Sequence, residues 1–195
     1  DVDLTDVHQV SAVQASDGAL GVLTLSKTTD STGTGTGGVL TWNYSVAASK
    51  VEYLSKGQIK TEQFTFSVAD GKGGLISRTV DVTIKGTNDA AVIADGKPVS
   101  VTVQEDVVLT ANGQLTVVDV DGGEAILKDI GASKSLTGKY GTLTITEKGV
   151  WSYALNNNSS VIQTLNDGES LTDEQFTFES KDGTAKVTLQ IIVKG

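Results

Sequence analysis

The chain has no cysteine and no methionine, and only one proline among its 195 residues. Without cysteine, neither a disulfide nor a thiolate metal site can brace the fold. Secreted eukaryotic domains of this size often carry disulfides, so cysteine-free modules fit a bacterial surface protein better. Aromatic residues are 5% of the chain, so any core is lean and built mainly from Val, Leu and Ile. Bases are scarce as well: 15 Lys and Arg stand against 24 Asp and Glu, a formal charge of −9. That balance excludes the basic stripe on which nucleic-acid binding depends. It suits a protein that gathers metal cations or stays soluble at high local concentration. No apolar run approaches the ~20 residues of a membrane span, so membrane insertion is not expected. No basic segment followed by an apolar one opens the chain. We therefore expect a fragment whose targeting signals lie elsewhere in a longer protein.

What is present is a repeat. Residues 62–66 read Glu-Gln-Phe-Thr-Phe, and residues 174–178 read the same. Trp42-Asn43-Tyr44 is echoed by Trp151-Ser152-Tyr153, Asp70-Gly71 by Asp182-Gly183, and Asp1-Val2-Asp3 by Asp119-Val120-Asp121. The same separation divides Trp42 from Trp151 and Lys85-Gly86 from Lys194-Gly195. Such a period is the length of a domain, not of a solenoid turn. The sequence predicts two tandem modules, 1–86 and 87–195, the first without its N-terminal strand.

Each module reads as strands. Val80, Val82 and Ile84 alternate with Thr79, Asp81 and Thr83, and Phe176-Thr177-Phe178 alternates likewise. Gly, Asn and Asp clusters punctuate the runs, and no long helical period intervenes. Many short strands in ~100 residues predict an all-β fold: two Greek-key, cadherin- or immunoglobulin-like β-sandwiches. Gly33 to Gly38 reads as a hairpin loop. Trp42 and Trp151, each with a tyrosine two residues on, read as core residues, with a sugar-stacking platform as the alternative.

The acids are clustered. Asp119-Val120-Asp121-Gly122-Gly123-Glu124 is the richest group, and Asp1-Val2-Asp3-Leu4-Thr5-Asp6 carries acids at the same offsets. Alternate residues of an extended segment face one way, so Asp119 and Asp121 can converge on one ion, as can Asp1 and Asp3. Carboxylates that close repel unless a cation lies between them. Hard oxygen donors of this kind suit Ca2+. No EF-hand is present, because its twelfth position falls on Ile130 or Ala12. Asn88-Asp89, between the modules, and Glu105-Asp106, after a strand of the second, supply further candidate ligands.

These residues resemble a known family. Gly86-Thr87-Asn88-Asp89-Ala90, Val103-Gln104-Glu105-Asp106, Leu115 to Glu124, Tyr140 to Ile145 with Gly149 to Tyr153, and Leu165 to Phe178 are similar to VCBS and bacterial cadherin-like tandem repeats of RTX-type adhesins. They are similar also to the two-module rhizobial Rap agglutinins. Where these relatives carry proline after Asn-Asp-Ala, this chain has Ala91. The resemblance implies secretion, by a type I route, to the bacterial cell surface or the medium. It implies neighbouring repeats of the same long chain as partners, and calcium at the module joints. By analogy with cadherins, a joint ion would take Asn88, Asp89, Asp119 and Asp121, with Asp70 from the first module. Glu105, Asp106 and Glu124 would complete that site or form another within module two. The expected role is a calcium-rigidified adhesion segment in surface attachment and biofilm formation. The alternatives are a calcium-dependent lectin for cell-surface glycan or exopolysaccharide, and a glycan-active enzyme. The enzyme is disfavoured, since there is one histidine and the acids do not form an isolated pair.

Overall fold

The computed structural model describes residues 2–94 and 99–195, so Asp1 lies outside the described residues. The chain divides into two compact units, Asp1–Thr87 and Asn88–Gly195. Among the described residues the only helical element is a 3-10 turn at Ala48–Lys50, and no helix is long and apolar enough to cross a membrane.

The first module contains β1 (Gln9–Val10), β2 (Gln14–Ala15), β3 (Val22–Thr29), β4 (Val39–Ser45), β5 (Ile59–Ala69) and β6 (Leu75–Lys85). β5 and β6 form a long antiparallel hairpin, and β1 and β2 pair with β5. β3 and β4 pair as a separate ribbon, with the Gly33 to Gly38 stretch in the connecting loop. Val and Thr, which favour a pleated surface, recur in both hairpins and alternate in β6. The core is small: Leu23, Leu54, Phe64 and Phe66 are its buried large hydrophobic side chains.

The second module contains β7 (Val92–Ile93), β8 (Val99–Gln104), β9 (Thr110–Gln114), β10 (Val117–Val118), β11 (Lys134–Thr137), β12 (Gly141–Ile145), β13 (Val150–Leu155), β14 (Ser170–Glu179) and β15 (Lys186–Lys194). One sheet runs β11-β12-β13-β9 and the other β14-β15-β8, with β8 parallel to β15. The inward residues of the two sheets close one continuous core, including Val103, Leu143, Trp151, Tyr153, Phe176, Leu189 and Ile191. This is a β-sandwich of the Greek-key, cadherin-like class.

Both cores enclose a glutamate. Glu62 is fully buried, and its carboxylate accepts the N–H groups of Leu20 (2.7 Å) and Gly21 (3.2 Å) and the Tyr44 hydroxyl (3.0 Å). Glu174 repeats the arrangement with Lys139 N–H (2.7 Å), Tyr140 N–H (3.4 Å) and the Tyr153 hydroxyl (3.0 Å). Each tyrosine also meets a phenylalanine edge to face, Tyr44 with Phe64 at 5.8 Å and Tyr153 with Phe176 at 6.3 Å. A buried carboxylate is tolerated when donors compensate its desolvation, as here. Burial would raise the Glu62 carboxyl, but the two backbone donors and Tyr44 outweigh it and hold it below the ordinary value.

The expectation that both tryptophans are core residues holds for Trp151, 3% exposed, and fails for Trp42, 52% exposed. Trp151 lies against Gly113 of the neighbouring β9. Trp42 lies on β4, which among the described residues pairs only with β3.

Candidate metal centre

The acidic pole of the second module is assembled by its two shortest strands. β7 and β10 pair antiparallel, Ile93 opposite Val117 and Val92 opposite Val118. Ala94 N–H extends the pairing to the Thr116 carbonyl at 2.8 Å. Because the strands are antiparallel, the residues just before β7 lie beside those just after β10. Asn88 to Ala91 are thereby brought to Asp119 to Asp121.

The contacts are close. Asp89 N–H donates to Asp121 Oδ2 at 2.8 Å, and Asp121 N–H donates to Asp119 Oδ1 at 2.9 Å. Glu124 N–H closes the next turn onto the Asp121 carbonyl at 3.1 Å, with Gly123 at positive φ inside it. The Lys181 ammonium donates to the Gly123 carbonyl at 2.8 Å rather than to a carboxylate. No ion pair among the described residues involves Asp89, Asp119, Asp121 or Asp182.

The β14–β15 turn adds Asp182. Its carboxylate accepts from the Ser180 and Thr184 hydroxyls and from Asn88 Nδ2 at 3.2 Å. Ala91 N–H donates to Thr184 Oγ1 at 2.8 Å, which ties the linker to this turn. Burial pushes the Asp182 carboxyl up, but the hydrogen bonds from Ser180, Thr184 and Asn88 outweigh it and hold it well below the usual carboxylate range.

Two oxygens of this pole remain without partners. Asp119 Oδ2 and Asp121 Oδ1 are both closed to solvent and accept no hydrogen bond. Asp121 as a whole is 2% exposed. An orphaned carboxylate oxygen in such a place is unfavourable by kilocalories. A hard cation offers such oxygens a partner, and the carboxylates of Asp119, Asp121 and Asp182 are donors of the kind calcium takes, with neither imidazole nor thiolate beside them. Among the described residues no three His, Cys, Asp or Glu side chains converge as a ready-made metal cage. The pole is a mixed cluster in which hydrogen bonds occupy part of the donor set.

The remaining candidates lie elsewhere. Glu105 follows β8, and its N–H donates to the Lys194 carbonyl at the end of β15. Asp182 precedes the start of β15. The strand separates them by roughly 30 Å, so Glu105 and Asp106 occupy the opposite pole of the module. There Glu105 Oε2 is also buried without a partner. Asp106, at φ 57°, exchanges hydrogen bonds with Asn157, Asp106 N–H to Oδ1 at 3.1 Å and Asn157 Nδ2 to Asp106 Oδ1 at 2.7 Å. In the first module Asp3 is exposed, and its carbonyl accepts Asp6 N–H. Asp70 closes the β5–β6 turn, accepting Lys72 N–H at 2.7 Å and Gly74 N–H at 2.9 Å. The Lys72 bond leads in holding its carboxyl below the ordinary value. Asp70 sits at the opposite end of β6 from Gly86, roughly 35 Å along the strand. The structure thus gathers Asn88, Asp89, Asp119, Asp121 and the backbone of Glu124, and adds Asp182. It leaves Glu105 and Asp106 apart from them, and it commits Asp70 to a turn at the far end of β6 from the linker.

A family model of the bacterial cadherin-like domain matches residues 88–195, and the chain belongs to that family. Similar solved structures include mouse cadherin-23 EC22-24, 13% identical over 90% of this chain and 53% of that one, TM-score 0.41. Mouse clustered PcdhgC3 EC1-3 is 13% identical over 76% of this chain and 45% of that one, TM-score 0.39. Protocadherin Gamma B2 extracellular cadherin domains 3-6 are 12% identical over 98% of this chain and 52% of that one, TM-score 0.41. The chain spans about half the length of these three solved structures. No curated protein matches it in sequence.

Proposed function

We propose that this chain is a non-catalytic, calcium-binding part of an extracellular bacterial adhesin built from VCBS-type tandem repeats. The observation that carries the reading is the pair of buried, unpartnered oxygens on Asp119 and Asp121. Asp119 and Asp121 would hold the ion, and Asp182, Asn88 and Asp89 would exchange present hydrogen bonds for it. Calcium contributes positive charge and a high coordination number there. Asp89 and Ala91 already fasten the linker to Asp121 and Thr184 through their N–H groups. Neutralising the acids removes the repulsion that opposes this fastening, and the linker leaves the second module in one direction. A run of such modules becomes stiff in millimolar calcium and pliable without it, which suits surface attachment and biofilm formation. Glu105, at the other pole, would serve the following repeat in the same way.

Titration calorimetry on chelator-stripped protein tests this. We expect saturable calcium binding with a dissociation constant of about 10⁻⁴–10⁻³ M. Absence of binding heat together with an unchanged circular dichroism melt in calcium rules the proposal out.

Exopolysaccharide recognition is the second reading, and the exposure of Trp42 is the observation in its favour. It ranks lower because Trp42 belongs to the first module, not to the one that carries the acidic pole. A glycan array read with and without calcium, on wild type and Trp42→Ala, distinguishes it.

A further inference from the structure

The two modules share a core but not its surroundings. β3–β4 repeats the pairing of β12–β13: Leu25 faces Trp42 as Ile145 faces Trp151, and Leu23 faces Tyr44 as Leu143 faces Tyr153. β5–β6 repeats β14–β15, with Phe64 opposite Val80 as Phe176 is opposite Leu189. In the second module two further strands complete the sandwich. β9 lies antiparallel on β13 with Gly113 opposite Trp151, and β8 lies parallel on β15 from Val99 opposite Leu189 to Gln104 opposite Lys194. Among the described residues of the first module neither place is filled: β4 pairs only with β3, and β6 pairs on one side only, with β5.

Burial follows the same division. Tyr153, Leu189, Ile191 and Val193 are fully buried. Their counterparts Tyr44, Val80, Val82 and Ile84 are only half-buried. An open strand edge flanked by half-buried apolar side chains is a template for strand addition.

We propose that the open side of the first module is an acceptor site for an extended strand–turn–strand segment of the β8–β9 kind, lying parallel to β6 and antiparallel to β4. The second module specifies the chemistry of the occupant. Its first strand alternates valines, as Val99, Val101 and Val103 do. Its turn is acidic, as Glu105 and Asp106 are. At the counterpart of the turn's neighbour Lys194 the first module also has a base, Lys85, so the charges complement. The second strand must be small opposite the aromatics, as Ala111 is opposite Tyr153 and Gly113 opposite Trp151. A Cβ on Gly113 would lie 2.7 Å from the Trp151 ring. The counterpart of Gly113 would therefore seat against Trp42 and cover it.

The test adds a synthetic peptide spanning Val99–Gln114 to the full chain and reads acrylamide quenching of tryptophan emission with hydrogen exchange by mass spectrometry. Trp151 is already sealed, so new protection reports Trp42. We expect saturable protection, with quenching of Trp42 falling to the level of Trp151 and exchange slowing in β4 and β6. The same peptide carrying Gly113→Val should give none of this. Unchanged exchange in both strands at every soluble peptide concentration overturns the proposal. So does equal protection by the Gly113→Val peptide, which would mean unspecific apolar adsorption. Sedimentation showing that the chain alone dimerises with Trp42 already shielded also overturns it, since a second copy would then be the occupant. None of these outcomes depends on calcium.

Discussion

Asp121→Asn removes one negative charge from the acidic pole while keeping the side chain's shape, and its effect should differ between calcium and chelator. With a dissociation constant of about 10⁻⁴–10⁻³ M, calcium at about 10 mM exceeds it ten- to a hundredfold. Binding to the folded form alone then stabilises by about 1.4–2.7 kcal/mol. An unfolding entropy of roughly 2.1 cal/mol/K per residue converts this to about 6–12 °C in the melting temperature of the second module. Asp121 is 2% exposed and supplies one of the two orphaned oxygens, so the variant should lose most of that gain. In chelator the sign changes. The wild type there keeps a buried, unpartnered oxygen on Asp119 and on Asp121, and the variant should melt at the same temperature or slightly higher. Scanning calorimetry of both proteins, each in calcium and in EDTA, gives the four melting temperatures required. A wild type that melts identically in the two buffers refutes the reasoning, as does a variant that gains as much from calcium as the wild type.

Three other outcomes are expected. Glu174→Ala strands two backbone N–H groups and the Tyr153 hydroxyl in the core, and should destabilise the second module by about 3 kcal/mol or more in urea unfolding, with Glu174→Gln costing less. Burial, with Glu62 adding to it, pushes the Tyr44 phenol up to about 12 from 10.0. A raised value favours the neutral phenol in the folded state, so this contribution is complete below pH 10.0 and is lost as pH rises toward about 12; alkaline difference spectra should lose that late component in Tyr44→Phe. Lys27 and then His8 hold the Asp30 carboxyl well below its ordinary 3.8. A lowered value stabilises above pH 3.8 and the effect is lost as pH falls below it, so Asp30→Asn should flatten the acid limb of the first module's melting curve; an unchanged acid limb contradicts this.

The strands that alternate over several residues were legible because period two needs only a few turns of the pleat to show. Val80, Val82 and Ile84 mark β6 without any tertiary information. β7 and β10 span two residues each, too few for a period, yet their pairing brings Asn88 to the acids. That is why Asp182, a plain turn residue by sequence, belongs to the pole. Its echo at Asp70 was visible, but an echo does not say what lies across the turn. The distance between Glu105 and Asp121 was illegible for the opposite reason: near neighbours in sequence stand at opposite ends once β8 runs alongside β15. Glu62 and Glu174 carried a signal that charge concealed. Each shares parity with the two phenylalanines that come after it, so all three side chains face inward. Trp42 shows the limit of reading by repeat, since the motif recurs while, among the described residues, the strand that covers its counterpart does not.

The parallel alignment of β8 with β15 has a mechanical side. A pull transmitted upstream of β8 and downstream of β15 would drag these strands lengthwise in opposite directions. The backbone bonds between Val99 and Gln104 and their neighbours on β15 are then loaded together, as a lap joint is, instead of parting singly as in an unzipping hairpin. A module with this geometry gives way under tension all at once, so it can sit in a tether without slowly lengthening.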